Sequence, residues 1–270
     1  MITCDVLGKC NNNSGLGNQL FCIATTLSLA LDNSDTPVFP DLKKSHYKFY
    51  SKNIFHKLDT GEDKSFVRNY YREPPYSSTL YNKISYLENM CLHGHFQSYK
   101  YFEHNSDHIK DTFVLPEKLE ISVTSRHEEM LSLKNSVSLH IRRGDYVSDS
   151  LKNRYTSLDE SYYNEALSII GDYSKIVVFS DDISWCKEWP FLKDKSVIFV
   201  ENEFDVIDLI LMSKVSNNII ANSTFSWWSA FLNKNTNKKV IAPKEWFGPE
   251  RSKDNEKETK DLIPSDWIRI

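Results

Sequence analysis

Five short runs rich in β-branched residues, most of them separated by segments of helical period, fill the second half of the chain and restrict it to few architectures. The runs are VSLHI (137–141), KIVVFS (175–180), SVIFV (196–200), NIIA (218–221) and KVIA (239–242). Between several of them lie SYYNEALSIIG (161–171), DVIDLILMSK (205–214) and SWWSAFLNK (226–234). Strands alternating with helices read as right-handed βαβ units around a parallel sheet, so residues 136–270 are expected to be Rossmann-like. The first half is harder to read. A strand near residues 2–7 precedes LFCIATTLSLAL (20–31), which has the period and length of a helix. Residues 34–90, rich in Tyr, Lys, Ser and Pro, read as loops and short helices. A chain of 270 residues is expected to hold two domains, here 1–135 and 136–270. They divide in the polar stretch SRHEEMLSLKNS (125–136), and the last residues, DLIPSDWIRI, are expected to pack back on the first domain.

Charge and composition exclude several classes. Lys and Arg total 33 against 37 Asp and Glu, a net charge of −4, so no basic nucleic-acid footprint is expected. No apolar run is long enough to span a bilayer, and the start MITCDVLGKC lacks the basic and apolar regions of a secretory signal. The five cysteines form no CxxC or Cys/His cluster, so they are expected to be reduced thiols in a cytoplasmic protein.

Polar clusters follow four of the strands directly, and ligands of open α/β sheets bind outside the carboxyl ends of strands. In VSLHIRRGDY, alternation places Val137, Leu139 and Ile141 on one face and Ser138, His140 and Arg142 on the other. His140 and Arg142 therefore project together at the strand end beside Arg143 and Asp145. Paired guanidinium groups suit a pyrophosphate, and a structural Arg–Asp pair at a turn fits the same residues equally well. In IIANSTFSWWSAFL, Asn222, Ser223 and Thr224 stand between a strand and a helix. Free backbone N–H groups there would suit an anion, although an ordinary helix cap needs the same residue types. Trp227 and Trp228 read as core. Ser180, Asp181 and Asp182 end another strand, where a carboxylate could accept from a base or ribose or cap the next helix. SGLGNQLF (14–21) offers glycines for a tight turn ahead of the first helix. It is not GxGxxG, and neither a P-loop nor a strict DxD occurs.

Taken together, GLGNQLF, HGHFQSYKYF (93–102), HIRRGDY (140–146), FSDDISWC (179–186) and ANSTFSWWSAFLN (221–233) resemble, in this order, the α-1,2-fucosyltransferases of glycosyltransferase family 11, the bacterial O-antigen type among them. The resemblance implies a GT-B architecture of two Rossmann-like domains facing across a cleft. It implies GDP-β-L-fucose as donor, inversion at the anomeric carbon, no metal or other cofactor, and a terminal β-galactoside 2-hydroxyl as acceptor. A lipid-linked acceptor would bring the protein into peripheral contact with the inner membrane. On these residues Arg142 would hold the β-phosphate, with Arg143 beside it, and His140 would contact phosphate or ribose. Asp181 would meet guanine or ribose, next to Ser180 and Asp182. Ser223, Thr224, Phe225 and Ser226 would complete the pyrophosphate cradle, and Gly17, Asn18 and Gln19 would also belong to the donor site. His95 and Gln97 would face the acceptor. Asp145 is the candidate general base by position, with Asp149 and His95 as further options. Ser14, Cys22, His95 and Val215 depart from the residues usual in this family. Two other readings stay open: a GDP-fucose enzyme making α-1,6 or protein O-linked products, and a noncatalytic sugar- or nucleotide-binding module.

Overall fold

A computed structural model describes residues 1–5, 15–44, 48–75, 78–147 and 153–270, without the side chains of Asp145 and Val147. The chain forms two α/β units, one of residues 1–120 and 258–263, the other of 121–257 and 264–270.

The first unit is built on three parallel strands in the order β1-β3-β2: β1 (Ile2–Cys4), β2 (Asn69–Arg72) and β3 (Met90–His93). Of these strands β2 lies inside the stretch read from sequence as loops and short helices, and β3 starts at its last residue, Met90. They are only four residues each, and β2 alternates half-buried with exposed side chains, so neither has the apolar run that marks a strand. The first helix, α1 (Leu16–Asp32), begins earlier than the expected residue 20. Gly15 is its N-cap, and the Gly15 carbonyl accepts from the Asn18 and Gln19 amides. The GLGNQ segment is therefore the first helical turn and not a tight loop. Extending the helix to Leu16 lets Leu16, Leu20, Ile23 and Leu27 bury one continuous stripe.

The second unit holds six parallel strands: β4 (Val137–Ile141), β5 (Ile176–Ser180), β6 (Val197–Phe199), β7 (Asn217–Ile219), β8 (Val240–Ala242) and β9 (Ile268–Arg269). Their order is β6-β5-β4-β7-β8-β9. Counted from β4, this is the doubly wound order 3-2-1-4-5-6, with its topological switch between β4 and β7. Val137, Leu139 and Ile141 enter one core cluster with Tyr163, Ala166, Ile176 and Val178, as strand alternation requires. Each such buried aliphatic side chain stabilises by about 1.5–3 kcal/mol. The opposite face of β4 is polar inside: the Asn218 side-chain amide donates to Ser138 Oγ at 2.8 Å.

Two expectations about domain organisation need correction. Residues 121–135 belong with the second unit, where Arg126 and His127 both reach Glu203, at 2.9 and 3.0 Å. The tail divides. Glu258 and Asp261 bind Thr79, Tyr81 and Lys100 in the first unit, whereas Ile270 pairs with Ala242 beside β9 in the second sheet. The described cysteines, Cys4, Cys22, Cys91 and Cys186, are buried free thiols, and Cys10 lies outside the described residues. Among the described residues no helix is long and apolar enough to cross a membrane.

Candidate functional site

The switch point brings two of the sequence constellations together. β4 delivers His140 and ends in Arg142 and Arg143; β7 leads into Asn222 and Ser223, and the helix Thr224–Leu232 follows. The His140 and Phe225 rings lie 5.7 Å apart, and Tyr146 Oη donates to the Asn222 carbonyl at 3.0 Å. His140 is 4% exposed, and its Nδ1 has no hydrogen-bond partner. Burial, reinforced by the Arg142 charge, pushes its pKa down to about 3, so the imidazole is neutral at physiological pH.

The arginines are held from β5. Asp181 Oδ2 pairs with Arg142 Nη1 at 2.8 Å, and Asp181 Oδ1 accepts the Arg143 backbone amide at 2.9 Å. Asp182 Oδ2 meets Arg143 Nε at 3.2 Å, while Asp182 Oδ1 caps the next helix by accepting from the Trp185 amide. The Arg143 guanidinium also lies 3.6 Å from the Trp185 ring centre, a close cation–π contact. A Cβ at Gly144 would overlap Asp181 Oδ2, so any larger residue there would push that carboxylate aside. Beside the arginines lies a cavity of about 250 Å³ lined by Arg142, Arg143, Ser157, Trp185 and Trp189 among others.

At the other half of the site, Ser223 caps the helix Thr224–Leu232, its Oγ accepting from the Phe225 amide. Asn222 spends both side-chain donors on the carbonyls of Thr156 and Trp246 at 2.9 Å, which fixes the loop. Ser226 is fully buried and its hydroxyl points at the Ala221 and Ser223 carbonyls, so only its backbone belongs to the helix start. Trp227 and Trp228 are fully buried, as expected of core residues.

Other candidate residues have the following surroundings. Gly17, Asn18 and Gln19 sit in α1 of the first unit, where Asn18 Oδ1 accepts from Gln97 Nε2 at 2.8 Å. His95 and Gln97 follow β3, and the Glu73 carboxylate accepts the His95 and Phe96 amides at 2.7 and 3.0 Å. Burial raises the Glu73 pKa, and these two amides counter it. A Cβ at Gly94 would overlap the Glu73 side chain, so the strand-end glycine permits this grip. Ser180 Oγ accepts from the Asp182 amide at 3.0 Å and also meets the Cys186 thiol. The Asp145 side chain, all of Asp149 and Ser14 lie outside the described residues.

Sequence reasoning did not single out Glu73, Trp185 or Tyr146. Trp185 and Tyr146 stand inside the quoted motifs. Glu73 carries no local signal, because its partners are more than 20 positions away. Among the described residues no three His, Cys, Asp or Glu side chains gather as metal ligands.

The family model described as glycosyl transferase family 11 matches residues 11–270. The O-antigen biosynthesis glycosyltransferase WbnK of Escherichia coli is 36% identical over 215 residues, 75% of this chain and 68% of that protein. An α-1,2-colitosyltransferase of the same species is 35% identical, over 66% of this chain and 61% of that protein. The chain thus spans about two thirds of the length of these relatives. Among solved structures, the fucosyltransferase NodZ from Bradyrhizobium superposes with a TM-score of 0.55 at 13% identity, covering 86% of this chain and 91% of that one. The fold is accordingly α/β of the GT-B type.

Proposed function

The chain belongs to glycosyltransferase family 11, and from that premise we propose that it transfers L-fucose from GDP-β-L-fucose to the 2-hydroxyl of a terminal β-galactoside, with inversion and without a metal ion. The observation that carries this reading is that Arg142 and Arg143, held by Asp181 and Asp182, leave the end of the strand whose His140 lies against Phe225 of the Ser223-capped helix start, while Tyr146 reaches the Asn222 carbonyl. As the acceptor oxygen bonds to the anomeric carbon, the bond from that carbon to the β-phosphate oxygen breaks, and charge gathers on the departing GDP. Arg142 supplies guanidinium donors to that charge, and the positive end of the helix dipole at Ser223–Thr224 favours it further. These donors are fixed before reaction, because Asp181 and Asp182 hold the arginines in place. His140, neutral, offers a hydrogen bond to phosphate or ribose and no charge.

In this reading Asp181 orients Arg142 and the 142–144 turn, instead of meeting guanine or ribose. The acceptor proton passes to a carboxylate for which Asp145, directly after Gly144, is the candidate. His95 and Gln97, held by Glu73 and Asn18, serve the acceptor. An O-antigen biosynthesis relative is in keeping with a glycan acceptor, and we propose that this acceptor is lipid-linked and met by peripheral contact at the inner membrane.

One observation favours a second donor. A relative 35% identical is an α-1,2-colitosyltransferase, so the transferred sugar could be colitose with the same linkage. The test uses the purified chain with GDP-fucose or GDP-colitose, lactose as acceptor, and EDTA present. GDP release is followed and the product linkage read by NMR. An α-1,2-linked fucoside formed in EDTA is the expected result. Turnover with GDP-colitose alone replaces the donor, another linkage replaces the acceptor position, and a metal requirement removes the metal-free mechanism.

A further inference from the structure

A second cavity, of about 320 Å³, lies wholly within the first unit and is lined in part by Thr25, Asp32, Tyr81, Lys83, Tyr101 and His104. It sits toward the far end of α1 from the Asn18–Gln97 contact. On that helix its lining begins at Thr25, 7 residues beyond Asn18, which at about 1.5 Å per residue is about 10 Å. Neither Asn18 nor Gln97 belongs to its wall.

Its lining specifies a ligand chemistry. Thr25 is 1% exposed, yet its Oγ1 has no hydrogen-bond partner. The adjacent Thr26 donates to the Cys22 carbonyl at 2.8 Å, the bond that helical threonines ordinarily make. Thr25 Oγ1 makes no such bond, and Thr25 is part of the cavity wall. Tyr81 is 42% exposed and tilts against Tyr101 at 5.0 Å, so it offers an aromatic face backed by a buried ring. Asp32 accepts from His104 at 3.0 Å and Asn105 at 2.9 Å, and a carboxylate with about four acceptor positions has capacity left.

The charges exclude an anion as the occupant. Lys100 is neutralised by Asp261 at 2.7 Å, and His104 lies against Asp32. Lys83 has no ion pair among the described residues, and one exposed ammonium in a wall that also holds the Asp32 carboxylate does not make an anion site. An aromatic face for C–H groups, a carboxylate for vicinal hydroxyls and a buried lone hydroxyl together match an uncharged hydroxylated ring. The volume stands at the small end of ligand pockets, which suits one or two sugar rings.

We propose that this cavity is a second carbohydrate-binding site, holding a neutral pyranose of a glycan chain on a wall that does not include His95 or Gln97. Its biological sense rests on reading the chain as a glycan-modifying enzyme; its chemistry rests on the lining alone. The test titrates the intact, methyl-labelled chain with lactose and with lacto-N-tetraose. The reporters are the methyl groups of Thr25, Leu29 and Ile84, all in the cavity wall. Saturable shifts there are expected, unchanged in Gln97→Ala. The affinity should fall at least about fivefold in Tyr81→Ala and in Thr25→Val, which lacks only the hydroxyl in play. For the valine variant the reporters are Leu29 and Ile84. A purely structural Thr25 would leave sugar affinity unchanged in Thr25→Val, and that result overturns the proposal. So do shifts confined to the surroundings of Asn18 and Gln97, or none with either sugar at millimolar concentration. GDP-fucose turnover is measured on the same preparation. Turnover without cavity binding overturns this inference alone, and cavity binding without turnover supports it while overturning the transfer reading.

Discussion

Asp181 grips Arg142 from the neighbouring strand: one carboxylate oxygen takes the guanidinium at 2.8 Å, and the other takes the backbone amide of Arg143 at 2.9 Å. One side chain thus orients the arginine and shapes the turn that carries it. Both groups of the ion pair are about a quarter to a third exposed, so the pair is worth little to stability and its value lies in direction.

Replacing Arg142 should therefore damage turnover and spare the fold. A lysine keeps the charge but has neither the planar fork nor the reach to satisfy phosphate and Asp181 together. Arg142→Lys and Arg142→Ala are expected to lower kcat by about 10²–10³-fold with little change in Tm. Near-full turnover in the lysine variant would remove Arg142 from the reaction.

Gly144→Ala should copy the loss of Asp181. The added Cβ would displace the Asp181 carboxylate, so Arg142 loses its orienting partner. Gly144→Ala and Asp181→Asn are each expected to lower kcat by roughly tenfold or more, and the double variant by scarcely more than either. Additive losses would show that the two positions act separately.

His140 should confer acid sensitivity on folding. Its folded pKa is about 3, below the usual 6.5, so between these values the unfolded chain binds more protons. Its neutral burial is fully compatible with folding above about pH 6.5, and stability falls as the pH drops from there toward 3. His140→Gln should flatten this part of a Tm-against-pH curve. An unchanged acid limb would place the titration elsewhere.

Asp208 should act in the opposite direction. Burial, with Glu203 and Asp205 nearby, raises its pKa to about 7. The folded state then binds more protons between about pH 4 and 7, so the stability that the protonated carboxyl contributes is lost as the pH rises through that range. Asp208→Asn is expected to raise Tm at pH 8, by a gain on the order of 1–4 kcal/mol, and to change little at pH 4. Equal effects at both values would refute the assignment.

Glu73 provides the counterpart in the first unit. Glu73→Ala strands the His95 and Phe96 amides, at a cost of about 1–3 kcal/mol, and releases the loop that carries Gln97. The expected result is a roughly tenfold higher KM for lactose with GDP affinity unchanged. Weakened GDP binding would argue against a role confined to the acceptor side.

Much of the second unit could be read from local pattern. The helix Asp205–Lys214 has the expected bounds, and the five expected strands lie within a residue or two of theirs, whereas two-residue β9 was not expected. β-branched runs and 3.6-residue periodicity are properties of near neighbours, and burial on a fully covered parallel sheet makes them strong. The same alternation put His140 opposite Leu139 and Ile141, and the structure keeps it there. Short β2 and β3 lacked such a pattern, and their pairing is made by registering chain segments about 20 residues apart. The Arg142–Asp181 pair spans 39 positions, and nothing local distinguishes it from a pairing with Asp145. That choice follows from β4 and β5 lying side by side in register, Ile141 opposite Ser180, which brings the two strand ends within hydrogen-bond reach. Residue types and their periods determined the elements and the chemistry available at their ends. The order of strands in the sheet decided which of those groups meet, because contact between distant segments is a property of packing and not of neighbours in the chain.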